Sequence, residues 1–185
     1  MVEETLLDAI DKMDKAIERV HAHFQTVRTG RAAPALIEKL NVVYYGAPVP
    51  LQQLAGIQVP EARQLIVRPH DRNSLGAIEK AIRDSDLGVN PSNDGTVIRL
   101  SFPPLTEERR KEYVKVVRHM AEEGRVAVRN LRRDARKHLE GSERAGEISA
   151  DELERAEKEL EKITHDHVEK IDAALGRKES ELLEV

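Results

Sequence analysis

The placement of proline constrains this chain more than any other feature. Seven of its eight prolines fall between Pro48 and Pro104, Pro34 lies just before them, and none occurs in the first 33 or the last 81 residues. Proline lacks the backbone N–H and collides with the preceding helical turn, so uninterrupted helices belong to the two proline-free ends. Between them the chain must turn often. The Gly/Pro clusters at the borders assign residues 1–30 plus 105–185 to a helical domain and residues 31–104 to an insert.

The ends carry helical periodicity. Leu6, Ile10, Met13, Ile17, Val20, Phe24 and Val27 recur at alternating spacings of three and four, a heptad seam on one helix. Gly30 is the expected stop. Near the other end, Ser149 and Glu152 form a capping-box pattern, flanked by Ile148 and Leu153 as a hydrophobic staple. Leu153, Ala156, Leu160, Ile163, His167, Ile171 and Ala174 or Leu175 continue that apolar face. With helices predicted near 107–139 and 150–183, three sustained seams can be buried only against one another. The expected architecture is α+β: an elongated antiparallel three-helix bundle, each later helix about 50 Å long, carrying the insert.

The insert reads as a small, β-rich α+β domain with one helix. Strands are predicted at Leu40–Tyr45, Gln64–Arg68 and Thr96–Leu100, the last after the Asn93-Asp94-Gly95 turn. An amphipathic helix is predicted over Leu75–Leu87, with Gly88 as its stop. Two crossings join the domains, at Gly30–Arg31 and at Pro103–Pro104–Leu105. They form either a hinge or a rigid elbow fixed by the two prolines.

Composition removes several function classes. Cysteine is absent, which excludes disulfides, thiolate metal sites and thiol nucleophiles. No apolar run approaches the roughly 18 residues of a membrane span, and the acidic Met1-Val2-Glu3-Glu4 start has no signal-peptide pattern. A monomeric cytoplasmic protein is the expectation. Gly-x-Gly-x-x-Gly and Walker loops are missing, and no Ser/His/Asp set has strand–turn–helix context. His165-Asp166-His167 and His21-Ala22-His23 point their rings about 200° apart on a helix, which suits no shared metal. No enzyme, metal, cofactor or small-molecule substrate is expected.

Charge is the informative pattern. The net charge of −4 hides a segment at 106–140 with 11 basic and 7 acidic residues beside one at 141–185 with 7 and 14. On a helical wheel at about 100° per residue, Lys111, Arg118, Arg125, Arg129, Arg132 and Arg136 share a face about 60° wide, with no acidic residue expected inside it. Arg133, Lys115 and Arg110 broaden the stripe, while Tyr113, Val117, Met120, Gly124, Ala127, Val128, Leu131 and Ala135 form the apolar side. Gly124 is expected to permit close helix approach. Arginine's planar fork suits bidentate phosphate contacts, and a cationic line on a rod can follow a nucleic acid backbone. The competing explanation is a solvated face, or one that partners the acidic C-terminal helix. An apolar-docking protein adaptor and a tRNA-handling domain are the alternative functions.

Several segments together resemble the bacterial ribosome recycling factor family. They are Arg28-Thr29-Gly30-Arg31-Ala32, Tyr44-Tyr45-Gly46, Leu51-Gln52-Gln53-Leu54-Ala55, Glu79-Lys80-Ala81-Ile82 and Ser85-Asp86-Leu87-Gly88-Val89-Asn90-Pro91. Two more follow, Pro103-Pro104-Leu105-Thr106-Glu107-Glu108-Arg109-Arg110-Lys111 and Arg125-Val126-Ala127-Val128-Arg129-Asn130-Leu131-Arg132-Arg133-Asp134-Ala135. The resemblance implies an L-shaped protein hinged at Gly30, Arg31, Pro103, Pro104 and Leu105. It implies action on the post-termination ribosome together with elongation factor G, whose GTP hydrolysis drives separation of the subunits. It also implies that the helical domain lies on large-subunit ribosomal RNA through Arg28, Arg31, Arg129, Arg132 and Arg133, joined by Arg110, Arg118 and Arg125. The insert would face elongation factor G, and the factor itself would hold no cofactor.

Overall fold

Twenty-five residues without proline or glycine make the first helix, α1, Val2–Thr26. Its buried side chains, Ala9, Met13, Ile17, Val20 and Phe24, keep the three-and-four spacing of the seam. The helix stops short of Gly30. The Thr26 hydroxyl donates to the His23 carbonyl at 2.6 Å, and Val27 turns extended while remaining buried. Gly30, left-handed at φ +77°, lies beyond the helix in the connecting segment. The computed structural model describes residues 1–184. These form two units, Met1–Arg28 with Glu107–Glu184, and Thr29–Thr106.

In the first unit α1 packs against two longer helices, which also pack against each other. The proline-free C-terminal region supplies both. The helix that closes the first unit's middle is Glu107–Arg144, and the last is Ala150–Leu183. The turn between them needs Gly146 at φ +72°, where the Glu147 N–H reaches back to the Ser142 carbonyl at 3.0 Å. The last helix opens with the full capping box: the Glu152 N–H donates to the Ser149 hydroxyl at 3.2 Å, and the Ser149 N–H donates to the Glu152 carboxylate at 2.8 Å. The Ser149 N–H, joined by the Ser149 hydroxyl donating at 2.9 Å, holds the Glu152 carboxyl below its ordinary range. Gly124 is buried where a Cβ would run into Val20 Cγ2 of α1, so glycine there permits close helix approach.

The second unit contains β1 (Asn41–Tyr44) and β2 (Ala47–Pro50) as an antiparallel hairpin, then the short helix α2 (Leu51–Leu54). Next come β3 (Ala55–Glu61), β4 (Gln64–Pro69), α3 (Leu75–Arg83), β5 (Pro91–Asn93) and β6 (Ile98–Ser101). The latter four strands form an antiparallel sheet in the order β3-β4-β6-β5. The two long helices of the first unit are accordingly α4 (Glu107–Arg144) and α5 (Ala150–Leu183). A separate core of Ile37, Val42, Leu51, Leu65, Val67, Ile78, Ile82, Ile98 and Leu100 fills this unit.

Three strands were not expected, and proline explains why. Pro48 and Pro50 lie in β2, Pro60 in β3 and Pro91 in β5. All three are edge strands, where a missing N–H deprives no neighbour of a bond. β6 begins two residues later than predicted because the Asp94 carboxylate accepts from the N–H groups of Thr96 and Val97 at 2.9 and 2.8 Å, drawing both into the turn. Likewise α3 ends at Arg83, well before Gly88. The Ser85 N–H and hydroxyl both turn back to the Ile82 carbonyl, at 3.3 and 2.5 Å.

Candidate nucleic-acid interface

The cationic stripe of α4 exists as a row of side chains, but it is not a row of unpaired charges. Arg118 Nε donates to Glu179 at 2.5 Å, and Arg125 places Nε and an Nη on Asp172 at 2.7 and 2.6 Å. One Nη of Arg132 spans both oxygens of Glu161 at 3.1 and 3.0 Å. Arg136 Nε meets Glu157 at 2.9 Å and Glu140 at 3.0 Å. Partner numbers fall along α5 as arginine numbers rise along α4, so these two helices run antiparallel.

This corrects the expectation of an unneutralised stripe. Glu107 lies on the stripe itself, one turn before Lys111, and pairs with it at 2.8 Å. Glu122 stands just outside the 60° arc but is long enough to reach in, meeting Arg125 at 2.9 Å and Arg129 at 3.3 Å. The Arg125 hydrogen bond, with Arg129 assisting, holds the Glu122 carboxyl below its ordinary range. Burial works against the charge of Arg125, yet hydrogen bonds to Asp172 and Glu122 outweigh it and raise its pKa.

Pairing here is not deep burial. The Arg125 side chain is 19% exposed, Arg132 is 34% exposed, and Arg118, Arg129 and Arg136 are half exposed or more. Two edges therefore differ. Arg118, Arg125, Arg132 and Arg136 are held toward α5, whereas Arg129 is held by Glu122 of its own helix and Arg133 donates to the neutral Asn130 side chain. Arg110 is half-buried near the start of α4, and Arg28 is exposed just past α1.

In the second unit, Arg31 is exposed and its backbone N–H meets the Thr29 hydroxyl at 3.4 Å. Leu105 lies beside Gly30, its Cγ 3.3 Å from where a Cβ would stand, so the two crossing segments touch. Pro103 and Pro104 are exposed and outside regular structure. The hairpin tip is Tyr45-Gly46, with φ of +49° and +77°. Tyr45 packs edge-on against Tyr44 at 4.5 Å between ring centroids. The Tyr44 hydroxyl donates to Asp71 at 2.6 Å, which, with the Asn73 N–H, lowers the Asp71 carboxyl.

Sequence reasoning did not single out Glu157, Glu161, Asp172 and Glu179 as members of this surface. The signal was present: once α4 and α5 are set antiparallel across a short turn, carboxylates spaced 7, 11 and 4 residues apart on one face of α5 meet arginines spaced 7, 7 and 4 apart on α4. Also unforeseen is the tie of buried His167, whose ring nitrogens face the Ile163 carbonyl at 2.6 Å and the Asp14 carboxylate of α1 at 3.1 Å. Among the described residues no group of three or more His, Asp or Glu side chains is arranged to hold a metal ion. No helix among them is long and apolar enough to cross a membrane.

Long charged helices with a small inserted β-sheet unit make this an α+β protein with a cationic, carboxylate-paired helix face. The family model of ribosome recycling factor matches residues 20–183. The ribosome-recycling factors of Acidothermus cellulolyticus and Thermobifida fusca are 55% and 56% identical, each aligned over 100% of both chains. A solution structure of a ribosome recycling factor superposes with a TM-score of 0.77 at 42% identity, covering 100% of this chain and 98% of the other. A second structure describes models of the T. thermophilus ribosome recycling factor and the E. coli elongation factor G bound to the E. coli post-termination complex. It superposes with a TM-score of 0.66 at 48% identity, covering 99% of each chain. The chain belongs to the ribosome recycling factor family.

Proposed function

We propose that this protein binds the post-termination ribosome and, with elongation factor G and GTP hydrolysis, splits it into subunits in the cytoplasm. The observation that carries this reading is the full-length match to ribosome recycling factors, one of which is described with elongation factor G on the post-termination complex. The first unit acts as an antiparallel three-helix bundle that docks on large-subunit ribosomal RNA. Arg28, Arg129, Arg132 and Arg133 of this unit, with Arg31 just past its boundary, make the main phosphate contacts, extended by Arg110, Arg118 and Arg125. Contacts of this type orient a protein on RNA without reading its sequence.

The domain boundaries at 30–31 and 103–105 serve as a hinge. Elongation factor G moves the inserted domain, and the arginine-anchored helices pass the displacement to the junction between subunits. The driving free energy comes from the GTP cycle, because a binding protein alone shifts an equilibrium only by its differential affinity. The factor itself performs no catalysis.

Light scattering of purified 70S ribosomes mixed with this protein, elongation factor G and GTP tests the reading; a fall in scattering is expected, and a flat trace overturns it. Arg132→Ala should weaken ribosome pelleting and slow splitting far more than Arg155→Ala. Equal affinity of the two variants would remove the stripe from the interface. The carboxylate pairing on α5 also fits an adaptor whose charged faces merely solvate it. Salt distinguishes the two readings: phosphate docking weakens steeply as salt rises, and apolar docking does not.

A further inference from the structure

We propose that the α5 carboxylates Glu157, Glu161, Asp172 and Glu179 act as built-in competitors for phosphate, holding the stripe arginines so that only correctly spaced RNA phosphates displace them. The inference rests on the phosphate-gripping reading above and adds specificity-determining residues to it.

The geometry carries it. A carboxylate that engages the arginine fork occupies the same donors that a phosphate would use. Arg125 and Arg132 already spend such donors on Asp172 and Glu161. In each of the four pairs one partner is more than half exposed and the other is 19–34% exposed, so they sit at the surface edge of the helix contact and not in its core. Surface pairs add little to stability, from nothing to about 1 kcal/mol each. Four of them nevertheless line one seam between α4 and α5, from Arg118 to Arg136, about 27 Å along the helix. Stability alone accounts poorly for that placement.

Competition accounts for it. An isolated phosphate gains little by replacing one carboxylate, since a charge-assisted pair is exchanged for another. A rigid array of phosphates matching several arginines exchanges all of them at once and also repels the displaced carboxylates outward into water. Flexible RNA would have to be ordered to do the same, at an entropic cost. The less tightly held edge, Arg129 and Arg133, offers the first contact, and the clamped edge then discriminates. The segment 141–185, with 14 acidic residues against 7 basic, adds general repulsion of stray RNA.

The test uses the full-length protein carrying Glu161→Gln, Asp172→Asn, or both. Binding is measured across a salt series to poly(U), a flexible polyphosphate, and to purified large ribosomal subunits. Each substitution should raise poly(U) affinity about two- to fivefold, the worth of a surface ion pair. The salt slope should steepen by about 0.7 per liberated arginine. Large subunits, whose phosphates already displace these carboxylates in the parent protein, should gain at least as much affinity with an unchanged salt slope, so that only the poly(U) slope steepens. Glu154→Gln, which removes the same charge but pairs with Lys158 at 2.7 Å on its own helix, should leave both unchanged.

Unchanged poly(U) affinity and slope in folded Glu161→Gln and Asp172→Asn proteins, verified by circular dichroism, would overturn the proposal. So would an equal gain from Glu154→Gln, which would reduce the effect to net charge. If one variant unfolds, the other single variant carries the comparison, since the two pairs are separate. Arg132→Ala keeps the two levels apart. Full subunit binding by that variant sinks the phosphate reading itself, whereas weakened binding beside inert Glu161→Gln and Asp172→Asn sinks the competition alone.

Discussion

At Gly124 the absence of one methyl group decides how closely α1 and α4 approach. A Cβ there would overlap Val20 Cγ2 and touch Ile171 Cδ1 at 3.4 Å. Glycine costs the helix about 1 kcal/mol relative to alanine, but overpacking a filled core costs about 1–3 kcal/mol. Gly124→Ala should therefore lower the thermal midpoint despite its better helix propensity. Val20→Ala in the same chain removes the clashing atom, so the double variant should be more stable than the two single effects added together predict. Thermal melts of the four proteins measure that coupling. Additivity would mean that the overlap is relieved by movement elsewhere. The glycine was legible from sequence as a residue on the apolar face, but its partner was not, because Val20 stands 104 residues away.

Among the elements, α5 is the most clearly bounded, and its start is the part most open to test. Ser149→Ala removes the acceptor for the Glu152 N–H and should cost about 1 kcal/mol at pH 7. The Glu152 carboxyl is held below its ordinary value by its bonds to Ser149. A depressed carboxyl stabilises the fold above its unfolded pKa, and that contribution is lost as pH falls through the folded value. Alanine keeps the Ser149 N–H, the larger cause of that depression, and loses only the hydroxyl's share. The stability gap between Ser149→Ala and the parent should therefore be widest at neutral pH and narrow only in part in acid, which melts at pH 7 and pH 3 measure. Elements governed by local signals were readable: the capping box, the seam of α1 and the span of α5. Elements governed by pairing were not. β2, β3 and β5 carry prolines that argue against a strand until the sheet order shows them at edges. The arginine stripe was legible as a face of α4, and its carboxylate partners were hidden because the register between two helices is a tertiary fact.

On the scale of the whole molecule, the two units keep separate cores. Leu65, fully buried in the inserted unit, should cost about 2–5 kcal/mol when cut to alanine. Amide hydrogen exchange in Leu65→Ala is expected to accelerate along β4 and β6 while the α4 and α5 amides keep their protection. Uniform acceleration would show instead that the chain unfolds as one cooperative body. The proline-bearing edges have a consequence of their own. An open strand margin is a template onto which a second polypeptide can add itself, and aggregation begins that way. β2, β3 and β5 each break the row of donors such an intruder would need. Three of the four sheet margins are thus blunted against fibre seeding, a safeguard that suits the RNA docking proposed above.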